Sequence, residues 1–81
     1  MYYIIEHDIL PNGQVNVSEV GRSTFALALS HYYDRQSKMV VNTQFTSVHL
    51  MLVDEKLHVL KTDDVETQYQ PVEEAAEANE E

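Results

Sequence analysis

Histidine is the residue type in this chain with the widest chemical scope, because it is the commonest metal ligand and the usual acid–base group near neutral pH. The four histidines are His7, His31, His49 and His58. None lies in a ligand spacing such as His-Glu-x-x-His, and His7 falls on the apolar face of a predicted hairpin, where a hydrogen-bonded structural role is favoured. His49 and His58 fall on facing predicted strands and could be neighbours. Zinc would need further ligands, so the sequence predicts no metal and no other cofactor.

A histidine and a carboxylate in the predicted helix are the next candidates for chemistry. His31 and Asp34 are three residues apart, so their side chains can meet and Asp34 could orient the imidazole as a base. The chain has no Cys, and no Ser stands in a nucleophile-elbow pattern. Pairing on the helix surface is therefore favoured, and the sequence predicts a protein that is not an enzyme. A cleft joining His31, Asp34 and Arg22 would be the feature that an enzyme needs.

The segment Gly21-Arg22-Ser23-Thr24 enters the predicted helix, where free backbone N–H groups and Arg22 could bind an anion. One Gly is too few for a Walker A or dinucleotide-binding loop. A turn from strand to helix, with Ser23 as the N-cap, explains every residue of this segment.

The first 22 residues predict a β-hairpin around Leu10-Pro11-Asn12-Gly13. A three-residue loop with a left-handed Gly13 pairs Ile9 with Val15 and His7 with Val17. In that register one face carries Tyr3, Ile5, His7, Ile9, Val15 and Val17, and the other carries Glu6, Asp8, Asn16 and Ser18.

Helical spacing begins at Phe25 and predicts a helix over Phe25 to Ser37. Its apolar stripe, which is expected to face the sheet, consists of Phe25, Ala28, Leu29, Tyr32 and Tyr33. Arg35 and Lys38 suit the negative end of the helix dipole.

Phe45 to Thr62 predicts a second hairpin that turns at Asp54-Glu55-Lys56. Val48, Leu50 and Leu52 share one face of its first strand, and His49, Met51 and Val53 share the other. The turn lacks Gly, so the register of the return strand from Leu57 to Leu60 stays open. Apolar residues on both faces predict a strand that is covered twice. One short helix covers one face, which leaves the other for a tail segment, a second copy or a partner; a strand edge that pairs across a two-fold axis is another route.

Charge is concentrated at the end of this 81-residue chain of net charge −9. The segment 63–81 has eight acidic residues and no Lys or Arg. We expect a small domain over residues 1–66 and an acidic, disordered tail over 67–81. The five basic residues are scattered, so direct nucleic-acid binding is not expected. Without Cys, a signal peptide or a long apolar run, the sequence favours a soluble, cytoplasmic protein that does not bind membranes.

Three stretches carry a resemblance to a protein family: Tyr33-Asp34-Arg35, Ser37-Lys38 and Ser47 to Glu55. Over residues 1 to about 70 the chain resembles small uncharacterised accessory proteins of bacterial conjugative and mobile elements. That resemblance implies no activity. It implies a bacterial cytoplasmic protein among genes of transfer, maintenance or evasion of host defence.

Together these patterns predict an α+β fold of order ββαββ, in which two hairpins form one antiparallel sheet packed by one helix. The predicted function is a non-catalytic, self-associating protein-interaction or accessory protein whose partner is another protein or a second copy in a homodimer. The alternative is an acidic inhibitor that mimics nucleic acid and blocks a DNA- or RNA-binding protein. The predicted partner-binding residues are Tyr32, Tyr33, His49, Met51, Val53, Glu73, Glu74 and Glu77.

Overall fold

The computed structural model describes residues 1–70 as one antiparallel sheet with a helix against it. The elements are β1 (Tyr2–Ile9), β2 (Val15–Arg22), α1 (Phe25–Val40), β3 (Ser47–Asp54) and β4 (Val59–Glu66). The strands lie in the order β2-β1-β3-β4, so β1 and β3 are central and β2 and β4 are the edges. This arrangement confirms the predicted α+β fold and its ββαββ order. The tail residues 71–81 lie outside the described part of the chain.

The first hairpin has the predicted loop and register. Leu10 N–H donates to the Gln14 carbonyl at 2.8 Å, and Gly13 N–H donates to the Leu10 carbonyl at 2.9 Å. Gly13 has φ of 90°, the left-handed region that glycine adopts without a steric cost. Ile9 therefore pairs with Val15 and His7 with Val17. A loop of this length sets which residues share a face along both strands.

The helix packs on the less apolar face of this hairpin, which the hairpin pattern alone did not indicate. Ile4 and Glu6 of β1 point towards α1 and are 2% and 3% exposed, whereas His7 belongs to the opposite side of the sheet. The neighbouring strand β3 determines which face the helix covers, because Leu50 and Leu52 pair with Glu6 and Ile4 and lie on the same face. His7 is accordingly not a core histidine under the helix.

The helix begins at Phe25 as predicted and ends three residues later than predicted. Thr24, not Ser23, is the N-cap, and its side-chain oxygen accepts a hydrogen bond from Leu27 N–H at 3.2 Å. The buried helix residues are Ala28, Tyr32 and Met39. Phe25 and Tyr33, both assigned to the apolar stripe, are instead about half exposed. The stripe is rotated because Arg35 also faces the sheet, where it pairs with Glu6.

The second hairpin turns where predicted, but its turn is longer, and its return strand starts later and extends further than predicted. Asp54 Oδ1 accepts hydrogen bonds from the backbone N–H groups of Lys56 and His58, each at 2.9 Å. These bonds hold a turn over residues 54–58 in which Leu57 takes a left-handed φ of 67°. Hydrogen bonds from the His58 and Lys56 backbones outweigh the opposing effect of burial and lower the pKa of Asp54. β4 then runs to Glu66 rather than ending at Thr62.

A bulge fixes the register that the sequence left open. Leu52 pairs with Lys61, and Val53 pairs with Val59, so Leu60 is the extra residue. Past β4, Thr67 Oγ1 donates to the Phe45 carbonyl at 2.6 Å. Gln68 N–H likewise donates to the Asn42 carbonyl at 2.8 Å, so residues 67 and 68 are attached to the folded domain.

The hydrophobic core lies between α1 and one face of the sheet. Its buried residues are Ile4, Ala28, Tyr32, Met39, Val48, Leu50, Leu52 and Val65. Tyr2, Leu29 and Phe45 pack around its margin. Within residues 1–70, no helix combines the length and the apolar character that a membrane crossing requires.

Candidate interaction surface

The face of the sheet that points away from α1 has no element of residues 1–70 packed on it, and we call it the open face. Backbone alternation and the strand registers place four residues of each strand there. They are Tyr3, Ile5, His7 and Ile9; Val15, Val17, Glu19 and Gly21; Ser47, His49, Met51 and Val53; and Val59, Thr62, Asp64 and Glu66. Half of these residues are Val, Ile, Met or Tyr, and they adjoin one another across the strands. The open face therefore has enough adjoining apolar side chains to pack against another layer.

A polar row crosses the open face beside the central pair Ile5 and Met51. His7 and His49 are directly opposite on β1 and β3, with ring centroids 6.2 Å apart. His49 Nδ1 lies 2.6 Å from Asp64 Oδ1 and its Nε2 lies 3.3 Å from Thr62 Oγ1. Both ring nitrogens of His49 therefore have partners, and the row fixes the ring against the sheet. His58, which the sequence allowed as a neighbour of His49, lies in the turn beside Asp54 instead.

The predicted partner-binding residues do not form one surface. His49 and Met51 are partly exposed on the open face, whereas Val53 on the same face is only 2% exposed. Tyr33 is exposed but belongs to α1, on the other side of the sheet. Glu73, Glu74 and Glu77 lie outside the described residues.

Tyr32 is a core residue rather than a contact residue, because its exposed fraction is 0%. Its hydroxyl donates to Asp63 Oδ2 at 2.6 Å, and Lys61 Nζ lies 5.6 Å from its ring centroid. Burial and the bond to Asp63 raise the pKa of the Tyr32 hydroxyl. A tyrosine in this position ties the helix to β4, and it offers no surface to a partner.

An open groove does join the three residues that an enzyme would need. Arg22, His31 and Asp34 line it together with Leu27 and Ser30. Asp34 Oδ2 is paired with Lys38 Nζ at 3.0 Å, on the outside of the helix. Burial and the charges of Arg22 and Arg35 lower the pKa of His31. A neutral imidazole therefore lies in the groove. A catalytic base would be hydrogen-bonded to a nucleophile and to a group that orients it. Within residues 1–70, no hydrogen bond joins His31 to Ser30 or to Asp34.

An ion pair inside the fold was not predicted from the sequence. Arg35 Nε lies 2.7 Å from Glu6 Oε1, and Arg35 Nη2 lies 2.8 Å from Glu6 Oε2. Burial opposes ionisation of Glu6, but the hydrogen bonds from Arg35 and Asp8 outweigh it and lower the pKa of Glu6. The pair with Glu6 also raises the pKa of Arg35. The sequence did contain a sign of this pair: Arg35 is at helical spacing from Ala28 and Tyr32, so it shares the buried face of the helix.

A second carboxyl group, that of Asp8, lies beside this pair on the same face of β1. Burial, the hydrogen bond to Glu6 and the charge of Glu6 raise the pKa of Asp8 to about 7. Its Oδ1 atom is buried without a hydrogen-bond partner. Asp8 is therefore held as a neutral acid that donates to Glu6 below neutral pH.

We predict that replacing Asp8 by Asn stabilises the protein at alkaline pH. The pKa of Asp8 is above its ordinary value of 3.8 in the folded state, so the folded state binds more protons between pH 4 and 7 and stability falls as pH rises through that window. Asn keeps a donor for Glu6 and cannot ionise. We expect Asp8→Asn to gain about 1–2 kcal/mol in the free energy of unfolding at pH 8, a value reduced for the partial exposure of Asp8.

Urea unfolding of both proteins at pH 4 and pH 8 checks this expectation, and the difference should shrink towards zero at the lower pH. Glu66→Gln, which neutralises an exposed acid in the same sheet, is the matched control and should change stability little at either pH. A constant difference between Asp8→Asn and the parent across this range would contradict the assignment.

Within residues 1–70, no three side chains of the metal-ligating types lie close enough together to hold an ion. No family model matches the chain, and neither a curated protein nor a solved structure matches it. The resemblance to accessory proteins of mobile elements therefore stays a prediction, and the geometry of residues 1–70 is the basis for assigning a function.

Proposed function

We propose that this protein is a non-catalytic interaction protein that self-associates by packing its open face against the open face of a second copy. The observation that carries the proposal is a four-stranded sheet with the helix on one side and, within residues 1–70, no element on the other. Val15, Val17 and Val59, all on that other side, are 46%, 64% and 55% exposed. These valines lie on opposite edge strands, and Ile5 and Met51, on the central strands between them, are partly exposed. Exposed apolar residues on an uncovered sheet face are typical of an interface.

The size of the open face fits a second copy. Four strands of eight residues give a face of roughly 25 by 20 Å, or about 500 Å². Two copies would bury about 1,000 Å², which is near the lower bound for a specific interface. A second sheet of the same size covers the whole face, and aligned sheets pack with their inner side chains interleaved.

The charges on the open face lie at its margins, which suits packing at its centre. Glu19 is on edge strand β2, and Asp64 and Glu66 are on edge strand β4. Ile5 and Met51 form the middle pair on β1 and β3. An apolar centre with a polar rim is the usual anatomy of a protein interface.

Met51→Asp tests this proposal, because it places a charge at the centre of the buried contact. We expect the mass of the assembly, measured by light scattering, to fall by half. Leu27→Asp is the matched control: Leu27 is 53% exposed on α1, so the same change there should leave the mass unaltered.

Two outcomes would overturn the proposal. One is a parent chain that scatters as a 9.3 kDa monomer; the other is an unchanged mass for folded Met51→Asp. A monomer that binds a basic nuclease with steep salt dependence would favour the nucleic-acid mimic instead.

A further inference from the structure

The two edges of the sheet differ in how well they resist pairing with another strand. β4 carries Lys61, Asp63, Asp64 and Glu66 and is interrupted by the bulge at Leu60. Charges and bulges on edge strands are devices that prevent pairing between sheets. The β4 edge is therefore protected.

The β2 edge has no bulge and fewer charges than β4. Its eight residues, Val-Asn-Val-Ser-Glu-Val-Gly-Arg, pair with β1 throughout without a register shift. Glu19 and Arg22 are its charged residues, and it contains neither Lys nor Pro. A long, regular edge strand of this kind presents a row of unpaired backbone groups to any strand that can match it.

The hairpin geometry shows which backbone groups of β2 face outwards. Leu10 and Gln14 form a hydrogen-bonded pair at the turn, and in an antiparallel ladder bonded and non-bonded pairs alternate. Asn16, Ser18, Val20 and Arg22 therefore bond to β1. The residues whose N–H and C=O groups point to the free edge are Val15, Val17, Glu19 and Gly21.

We infer that β2 is a second self-association site, where the β2 strands of two copies pair antiparallel about a two-fold axis at Ser18. In this register Val17 lies opposite Glu19 of the second copy, and Val15 lies opposite Gly21. All four outward-facing residues find partners, giving about eight backbone hydrogen bonds. An axis at Glu19 would oppose two carboxylates, and an axis at Val17 would leave Gly21 without a partner in β2.

The helices leave room for this pairing. Since α1 lies over β1 and β3, the two helix axes would be roughly 15–20 Å apart on one side of the joined sheet, beyond the 8–10 Å of packed helices. The surface between them would be formed by β2, where Val20 is partly buried and the other helix-side residues, Asn16, Ser18 and Arg22, are exposed and polar. Those residues need no apolar cover.

This inference rests on the proposed function and adds a second contact to it. Edge pairing converts two four-stranded sheets into a continuous eight-stranded one, so the open faces of the two copies become one surface. Two such sheets packed face to face form a closed assembly of four copies with perpendicular two-fold axes, a common symmetry. In that assembly Glu19 lies at the centre of the joined surface rather than at its margin.

Ser18→Lys tests the edge contact, because it places two ammonium groups side by side at the axis. We expect light scattering to give four times the 9.3 kDa chain mass for the parent. For Ser18→Lys we expect twice the chain mass, which is a dimer. Glu19→Pro, which removes an outward-facing N–H and leaves the bonds to β1 intact, should have the same effect. Gln44→Lys adds the same charge as Ser18→Lys to an exposed loop residue and should leave the mass unaltered.

The pattern across variants separates the two contacts. If only the face contact exists, the parent is a dimer that Met51→Asp dissociates and Ser18→Lys does not, and the edge inference is overturned. If only the edge contact exists, Ser18→Lys yields monomers and Met51→Asp changes nothing, so the proposed function fails. With both contacts, the double variant is a monomer.

Amide hydrogen exchange is a second measurement, and it separates edge pairing from the folding of a single copy. The N–H groups of Val15, Val17, Glu19 and Gly21 have no acceptor on β1 in this register, so edge pairing is the expected source of their protection. We expect Ser18→Lys to speed their exchange roughly tenfold or more, with the amides of β3 unaffected. Equal exchange in parent and variant would rule out the pairing.

Discussion

Replacing Arg35 by Met is expected to destabilise the folded domain by about 3–5 kcal/mol. The substitution leaves the Glu6 carboxylate, which is 3% exposed, without the guanidinium that binds both of its oxygens. A chain of this size has about 4–12 kcal/mol of stability in total. The variant should therefore be partly or largely unfolded at neutral pH, as measured by circular dichroism and urea titration.

The matched control is Lys38→Met in the same helix. Lys38 pairs with Asp34 at 3.0 Å, but both side chains are more than half exposed. Exposed pairs at this helical spacing contribute only about 0.3–0.5 kcal/mol. The contrast between two cations three residues apart isolates the effect of burial.

A double variant separates the loss of the pair from the loss of packing. Glu6→Gln with Arg35→Met removes both charges, so it should recover most of the stability that Arg35→Met alone loses. Lowering the pH should also stabilise Arg35→Met relative to neutral pH, because an unpaired, buried Glu6 takes up a proton more readily in the folded state. A loss of less than about 1 kcal/mol in Arg35→Met would show that the pair does not hold the helix.

This ion pair also explains why the sequence predicted the sheet but not the side on which the helix packs. The loop Pro11-Asn12-Gly13 specifies the first register locally, and that prediction was confirmed. The face with Tyr3, Ile5 and Ile9 looked like the core because the opposite face carries Glu6 and Asp8. The partner of Glu6 lies 29 residues away, on the helix. Local alternation cannot show a contact of that range.

The register of the second hairpin was unpredictable for a different reason. When a turn lacks Gly, its conformation is predicted from the few other residue types that tolerate a positive φ. Leu is not one of these types. Leu57 nevertheless has φ of 67°, since Asp54 accepts from the backbone on both sides of it. A bulge at Leu60 follows this turn and shifts the register of β4, which runs from Val59 to Glu66.

The part of the candidate surface that was predicted from the sequence lies on β3. Both faces of this central strand are apolar, and the sequence alone shows that one helix cannot cover both. His49 and Met51 followed from that argument. Tyr32 and Tyr33 were chosen for residue type, and type does not distinguish a buried tyrosine from an exposed one.

Tyr32→Ala is expected to destabilise the domain by about 3–5 kcal/mol, because it empties the centre of the core between α1 and the sheet. Tyr32→Phe keeps the ring and removes the hydroxyl that donates to Asp63. Asp63 keeps a neighbour in Lys61, whose Nζ lies 3.6 Å away. The cost of Tyr32→Phe should therefore be nearer 1–2 kcal/mol, on the order of one hydrogen bond to a charged group. Thermal and urea unfolding measure both differences.

Tyr33 is the matched control, since its ring contacts that of Tyr32 at a centroid distance of 5.9 Å but is half exposed. Tyr33→Ala should cost about 1 kcal/mol or less. If Tyr32 is a core residue, Tyr32→Phe keeps the mass of the parent assembly while its stability falls. A Tyr32→Phe variant that dissociates at unchanged stability would instead return Tyr32 to the contact surface. That result would require the helix to leave the sheet on association, because no partner can reach a side chain that is 0% exposed.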